Sequence, residues 1–185
     1  MRKIGMILLG MLLAAGVQAA EVGGVKLEDK VALGGKDLVL NGAGIRTRAI
    51  FKVYVGSLYV PAKATNLAGV LQAAPRRVQL NVLRNLSADQ LIDALLDGMK
   101  ENNSPVELAA VKAQTDQMVA TMKAFNDVKE GNVVTLDFVD GATKIGFNGA
   151  AKASIAGEAF NAALMKVWLG DNPVQADLKK AMLGG

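Results

Sequence analysis

The stretch N-G-A-G-I-R-T-R-A-I-F-K-V-Y-V-G-S-L-Y-V, Asn41–Val60, carries the densest structural information in the chain. From Ile45 onward it is rich in β-branched and aromatic residues, the composition that suits a pleated, half-buried surface. The run stops at Pro61, which has no N–H to give to a ladder. Asn41-Gly42 reads as a turn dipeptide, so Arg46 is expected just after a glycine turn, at the head of a strand region. Both tyrosines of the protein, Tyr54 and Tyr59, lie in the same run. An arginine in such a setting is a candidate anion receptor, fixed in an otherwise apolar sheet. In an unbroken strand Tyr54 and Tyr59 face opposite sides because their separation is odd. A bulge at Gly56 would change that, and both tyrosines are candidates to assist Arg46.

Outward from this stretch the chain alternates between short strands and well-marked helices. On the N-terminal side, Val25–Leu27, Val31–Leu33 and Asp37–Leu40 are expected strands, with Gly34-Gly35 as a turn. On the C-terminal side, Asn66–Ala73 suits a short helix, and Arg77–Leu83 alternates Val78, Leu80 and Val82 with polar residues as a half-buried strand does. Ser87 and Gln90 form a capping box ahead of an apolar stripe through Leu91, Ile92, Leu95, Leu96 and Met99. Ser104-Pro105 starts a second helix, whose stripe runs Leu108, Val111, Met118, Met122 and Phe125. Strands return at Val134–Phe138 and around Ile145–Phe147, joined by Asp140-Gly141. Asn148-Gly149 marks another turn, and a short strand is expected near Ser154–Ala156. A helix over Gly157–Leu169 follows. Gly170 is expected to end it, with Asn172 and Pro173 starting a last helix that carries Leu178 and Met182. The sum is an α+β fold in one domain, a mostly antiparallel sheet with helices on one face.

The composition narrows the chemistry. The chain has 185 residues and neither histidine nor cysteine. Ser-His-Asp and Cys-His catalysis are therefore excluded, as are the usual zinc and copper sites. No catalytic residue, metal ligand or cofactor is expected. Met1–Val17, a basic start followed by an uncharged apolar run, reads as a secretory leader with cleavage after Ala19 or Ala20. The run is too short for a spanning helix, which needs about 20 apolar residues. The reading is thus residues 1–19 as signal peptide, residues 20–185 as an exported domain without a stable membrane span, and a periplasmic location, with secretion as the alternative. Loss of Arg2 and Lys3 leaves 19 basic against 17 acidic residues, so net charge falls from +4 to +2. The charges are dispersed rather than gathered in a basic stripe, which argues against nucleic acid as a partner.

Three segments together resemble the bacterial chalcone isomerase-like proteins, relatives of plant chalcone isomerase and plastid fatty-acid-binding proteins. They are Gly42–Arg46 leading into Phe51–Val55 and Leu58–Val60, Val82–Ser87 opening a helix, and Val167–Val174 followed by Leu178-Lys179 and Leu183-Gly184. The resemblance implies an open-faced β-sandwich, in which a large antiparallel sheet is covered by helices with a ligand cleft between. It also matches Arg46 to the arginine that holds the developing oxyanion in the plant enzyme. The enzyme's strand threonine falls on Tyr54, and its helix tyrosine, lysine and asparagine fall on Leu91, Ala94 and Gly98. A further threonine falls close to Val167. These apolar replacements point away from flavonoid isomerisation.

The expected function is a non-catalytic binder of a fatty acid or similar amphipathic carboxylate. Arg46 would be the hook and Tyr54 and Tyr59 candidate ligand-binding partners, with an apolar wall from Leu91, Leu95, Met99, Met118, Met122, Phe160 and Leu164. Two alternatives stand beside it. One is an isomerase or lyase acting on an enone with Arg46 as electrophile. The other is a cell-envelope interaction module whose cleft is filled and whose Arg46 pairs with an acid such as Asp137. Trp168 is read as a structural residue, and Arg84 as pairing with a carbonyl or an acid.

Overall fold

In the computed structural model, which describes residues 20–185, two short strands, β1 (Ala20–Val22) and β2 (Val25–Leu27), pair as a hairpin of their own. The leader expected over residues 1–19 lies outside the described residues. Next come β3 (Lys30–Leu33), the long β4 (Lys36–Arg48) and β5 (Phe51–Val60). Helix α1 (Leu67–Gln72), capped by the Asn66 side chain, leads to β6 (Arg76–Val82). After β7 (Leu86–Ser87), the capping box of Ser87 and Gln90 starts α2 (Ala88–Asn102). Helices α3 (Pro105–Ala110) and α4 (Lys112–Lys123) follow, then β8 (Asp127–Val128), which pairs with β7. Strands β9 (Val133–Val139), β10 (Ala142–Phe147) and β11 (Ala150–Ala156) precede α5 (Glu158–Leu169) and α6 (Ala176–Met182).

The main sheet has seven strands in the order β11-β10-β9-β6-β5-β4-β3, all paired antiparallel. The expected α+β architecture is therefore present. Alternation decides which residues enter the core. Tyr54, Leu58 and Val60 of β5, Val78 and Val82 of β6, and Val134 and Leu136 of β9 meet Leu95, Met118, Leu164 and Trp168 of the helical layer. The opposite face is covered near β4 and β5 by the β1–β2 hairpin. A Cβ on Gly23 would stand 3.0 Å from Ile45 and 3.4 Å from Val55.

Several boundaries differ from those expected, each for a local reason. Asn41-Gly42 is not a turn, because β4 runs straight through it. The register with β5 shifts between Leu40 and Gly42, which makes Asn41 the extra residue of a bulge. Its buried side chain clamps the chain on both sides. Nδ2 donates to the Ala64 carbonyl (2.9 Å) and to the Met182 carbonyl (2.7 Å), and Oδ1 accepts from the Ala64 N–H (2.8 Å). The reversal comes later, at Ala49 and Ile50, where Ala49 takes a positive φ of 53°. The helix expected from Ser104 is two helices, broken at Val111 (φ −111°, ψ 13°), whose side chain turns into the core.

The last helix starts at Ala176 with Gln175 at its N-cap, not at Asn172-Pro173. Asn172 instead docks the connecting loop on the end of α2, its N–H donating to Asn102 Oδ1 (2.9 Å) and its Nδ2 to the Glu101 carbonyl (3.1 Å). Gly170 does end α5, in an extended conformation, and the site has no room for a side chain, since a Cβ there would lie 2.3 Å from Asn102 Oδ1.

Candidate functional site

The G-A-G-I-R segment builds the site by alternation. Gly42, Gly44 and Arg46 share one face of β4, the face turned to the helices. A Cβ on Gly42 would lie 2.0 Å from the Ala181 carbonyl oxygen, and one on Gly44 would lie 2.8 Å from the Ala181 methyl group. The glycines therefore let α6 rest directly on the strand. Gly56, the register partner of Gly44 on β5, completes that floor beneath Leu178. Arg46 is the next residue on the same face.

The N-cap residue of α6 holds the backbone around Arg46. Gln175 Nε2 donates to the Ile45 carbonyl (3.2 Å) and its Oε1 accepts from the Thr47 N–H (2.8 Å), the two bonds that a neighbouring strand residue would make. The same oxygen accepts from Arg46 Nη1 (3.3 Å), which also donates to the Thr47 carbonyl. Neither Nε nor Nη2 of Arg46 donates to another group among the described residues, and none of the ion pairs among them involves Arg46. One edge of the guanidinium fork is thus unspent. Asp137, the acid considered as its partner, is taken by Arg77 through two bonds of 2.6 and 2.7 Å.

Tyr54 is the register partner of Arg46 on β5. Directly opposed residues of antiparallel strands project to the same face. The Tyr54 hydroxyl accepts a 3.0 Å hydrogen bond from Trp168 Nε1 of α5. Because indole N–H only donates, this contact leaves the tyrosine proton for another acceptor. Burial pushes the Tyr54 pKa up from 10.0, against smaller downward pulls from the Trp168 bond and from Arg46. The phenol is therefore a neutral donor at physiological pH.

Arg46 and Tyr54 look into a cavity of about 470 Å³ between sheet and helices. Its floor is sheet residues such as Leu80, Val82, Val134 and Ile145, and its roof is Leu91, Ala94 and Leu95 of α2 with Met118 and Met122 of α4. Phe125, stacked on Phe147 with ring centroids 4.6 Å apart, adds an aromatic wall. Three arginines, Arg46, Arg48 and Arg84, are among the lining residues, and no acid is. The arrangement can hold an apolar chain and receive an anionic head. A model of the chalcone isomerase-like family matches residues 19–184 of the sequence.

The chain belongs to the chalcone isomerase-like family. Its fold is also that of a fatty-acid-binding protein from Arabidopsis thaliana, whose crystal structure superposes with a TM-score of 0.69. The two are 11% identical, and the match covers 86% of this chain and 92% of the other. No curated protein is significantly similar in sequence.

Within this chalcone isomerase-like fold the expected site residues separate. Tyr59 does not line the cavity. The β5–β6 register is unbroken from Tyr54 to Tyr59, so no bulge at Gly56 reverses the odd spacing, and Tyr59 lies on the other face near the charges of Arg77, Glu28 and Asp29. Leu91, Leu95, Met118 and Met122 line the cavity as expected, while Met99, Phe160 and Leu164 pack in the core away from it. Of the three helix positions matched to polar residues of chalcone isomerase, Leu91 and Ala94 face the cavity. Gly98 instead meets α5, where a Cβ would lie 2.8 Å from Val167.

Trp168, expected to be structural, packs in the core and also lines the cavity, with its N–H on Tyr54. Arg84 pairs with no acid among the described residues. Its guanidinium stacks 4.4 Å above the Phe51 ring at the cavity mouth. No signal in the sequence announces either contact, since both join segments that are distant along the chain. Among the described residues no acidic cluster is placed to hold a metal ion, and no helix is long and apolar enough to cross a membrane.

Proposed function

We propose that this protein binds a fatty acid or similar amphipathic carboxylate, without turning it over, in the cavity between sheet and helices. The observation that carries the reading is the unspent edge of the Arg46 guanidinium at an apolar cavity with no acid in its lining. A guanidinium edge and a carboxylate match as two parallel charge-assisted hydrogen bonds. The Tyr54 proton supplies a third, and the apolar walls take the chain. The fatty-acid-binding protein with the same fold is consistent with such a ligand. We further place the protein in the periplasm, exported by residues 1–19. Sequencing the N terminus of the protein from fractionated cells tests this, with Ala20 or Glu21 expected as the first residue.

The alternative of an isomerase or lyase needs a base as well as the electrophile Arg46. The cavity lining offers arginines, Gln90 and a tyrosine whose burial keeps it protonated. At the position matched to the enzyme's lysine stands Ala94. The filled-cleft alternative meets an open volume beside an arginine that pairs with no carboxylate among the described residues.

The test is lipid extraction from natively purified protein with mass spectrometry, joined to titration with a fluorescent fatty acid. A stoichiometric acidic lipid and saturable binding are expected. Arg46→Ala should weaken binding by roughly 10- to 100-fold, the range for a hydrogen bond to a charged group, with little change in the urea midpoint. Enone turnover that vanishes in Arg46→Ala would reverse the choice in favour of the enzyme.

A further inference from the structure

The turn between β4 and β5 presents apolar side chains to solvent at the rim of the cavity. Ile50 is 85% exposed and Phe51 is 52% exposed. The other large exposed apolar residues among those described, Leu96 and Val106, lie on α2 and α3 and are not sequence neighbours. Ala49 and Phe51 also line the cavity, so the tip is part of its mouth. Cations flank the tip. Arg48 and Lys52 are exposed on either side of it, and Arg84 stacks on the Phe51 ring. None of the three forms an ion pair among the described residues.

We propose that this hairpin tip docks the cavity mouth against the surface of an anionic lipid bilayer. The proposal rests on the reading of the cavity as a lipid site and adds where the lipid enters and leaves. An aliphatic and an aromatic side chain at a protruding turn match the shallow apolar zone under the headgroups, and adjacent cations match the anionic heads. A stable protein interface draws on roughly 20–30 residues a side, far more than this turn offers. A ligand whose carboxylate is caught by Arg46 would then pass between membrane and cavity along the arginines of the mouth.

The experiment is co-sedimentation with vesicles of phosphatidylglycerol mixed with phosphatidylcholine, and of phosphatidylcholine alone, at low and high salt. The protein is used as the cell processes it, and the variants share its N terminus, so any contribution of residues 1–19 cancels. The parent is expected to partition onto the anionic vesicles and to be released by salt. Ile50→Asp should lower partitioning by about tenfold or more, and Lys52→Gln by roughly fivefold. Neither residue lines the cavity, so both variants should bind fatty acid in solution as the parent does, which also verifies that they fold. A parent that ignores anionic vesicles, or an Ile50→Asp variant that partitions as well as the parent, overturns the docking surface. In the second case the tip is left to a protein partner. If the parent binds vesicles but no fatty acid in solution, the docking surface stands and the ligand reading falls.

Discussion

At the scale of single residues, the hydrogen bond between Trp168 and Tyr54 does two things. It anchors the ring of Tyr54, and by using the hydroxyl as an acceptor it leaves the phenolic proton for another partner. Tyr54→Phe removes both. The indole N–H of a buried tryptophan loses its acceptor, which costs about 1–3 kcal/mol of stability and should show as a lower urea midpoint. Fatty-acid affinity should also fall, by roughly tenfold for one lost hydrogen bond. Equal affinity in Tyr54→Phe and parent would exclude the hydroxyl from ligand binding. Arg46 was legible as a candidate from its neighbours alone, and so was the rule that Tyr54 and Tyr59 face opposite sides of an unbroken strand. The choice between Tyr54 and Tyr59 was not, because it turned on whether Gly56 breaks the strand. The bulge on β5 instead falls at Val53, beyond the tyrosines, where the β4 register shifts between Arg46 and Thr47.

At the scale of elements, G-A-G is the instructive misreading. By sequence Asn41 and the glycines two apart read as a turn, yet Gly42 and Gly44 lie in a strand with no positive φ. Their spacing is the strand period, and it clears one face for α6. The i, i+2 spacing was visible in the sequence, but its cause sits more than a hundred residues away, in Ala181 and Met182. Gly42→Ala should therefore lift α6 from β4, since the obstruction is backbone and cannot rotate aside. Overpacking of this kind costs about 1–3 kcal/mol. Hydrogen exchange is expected to show faster amide exchange across Ala176–Met182 and slow exchange retained in β5 and β6. Fatty-acid binding should weaken as well, because Gln175 leaves Arg46. By contrast, the helix starts at Ser87 and Ser104 were legible outright, since a capping box is local in sequence.

At the scale of the whole molecule, the buried Arg76 ties the layers together. It is 1% exposed, and Nε and Nη2 share Asn161 Oδ1 of α5 at 2.9 and 2.6 Å. Nη1 donates to the carbonyls of Leu71 and Ala73 at the end of α1, and the guanidinium lies 4.1 Å from the Phe138 ring centre on β9. Asn161 passes the network on to Thr143 of β10. Burial pushes the Arg76 pKa down to about 10, opposed by the field of Glu158. Arg76→Met strands the Asn161 oxygen and both carbonyls, and a loss of about 3–5 kcal/mol is expected, read from equilibrium unfolding. Arg76→Lys should recover little of it, because one ammonium cannot reach three acceptors in the geometry of a planar fork. The pair Arg76-Arg77 showed only as two adjacent charges in the sequence. Strand alternation sends the first into the helical layer and the second to Asp137 on the other face.

The clamp between β4 and α6 carries a consequence for the order in which the site can form. Asn41 bonds to Met182, and Gln175 bonds to Ile45 and Thr47. These partners stand between 128 and 141 residues apart in sequence. A nascent chain that has reached α5 already possesses every strand of the main sheet and the roof of α2 and α4. It does not yet possess the amide that fixes the backbone beside Arg46. Under the proposed reading, an acid can be held firmly only once residues 175–182 have docked on β4, so the site is completed by the last helix and not by the sheet and roof alone.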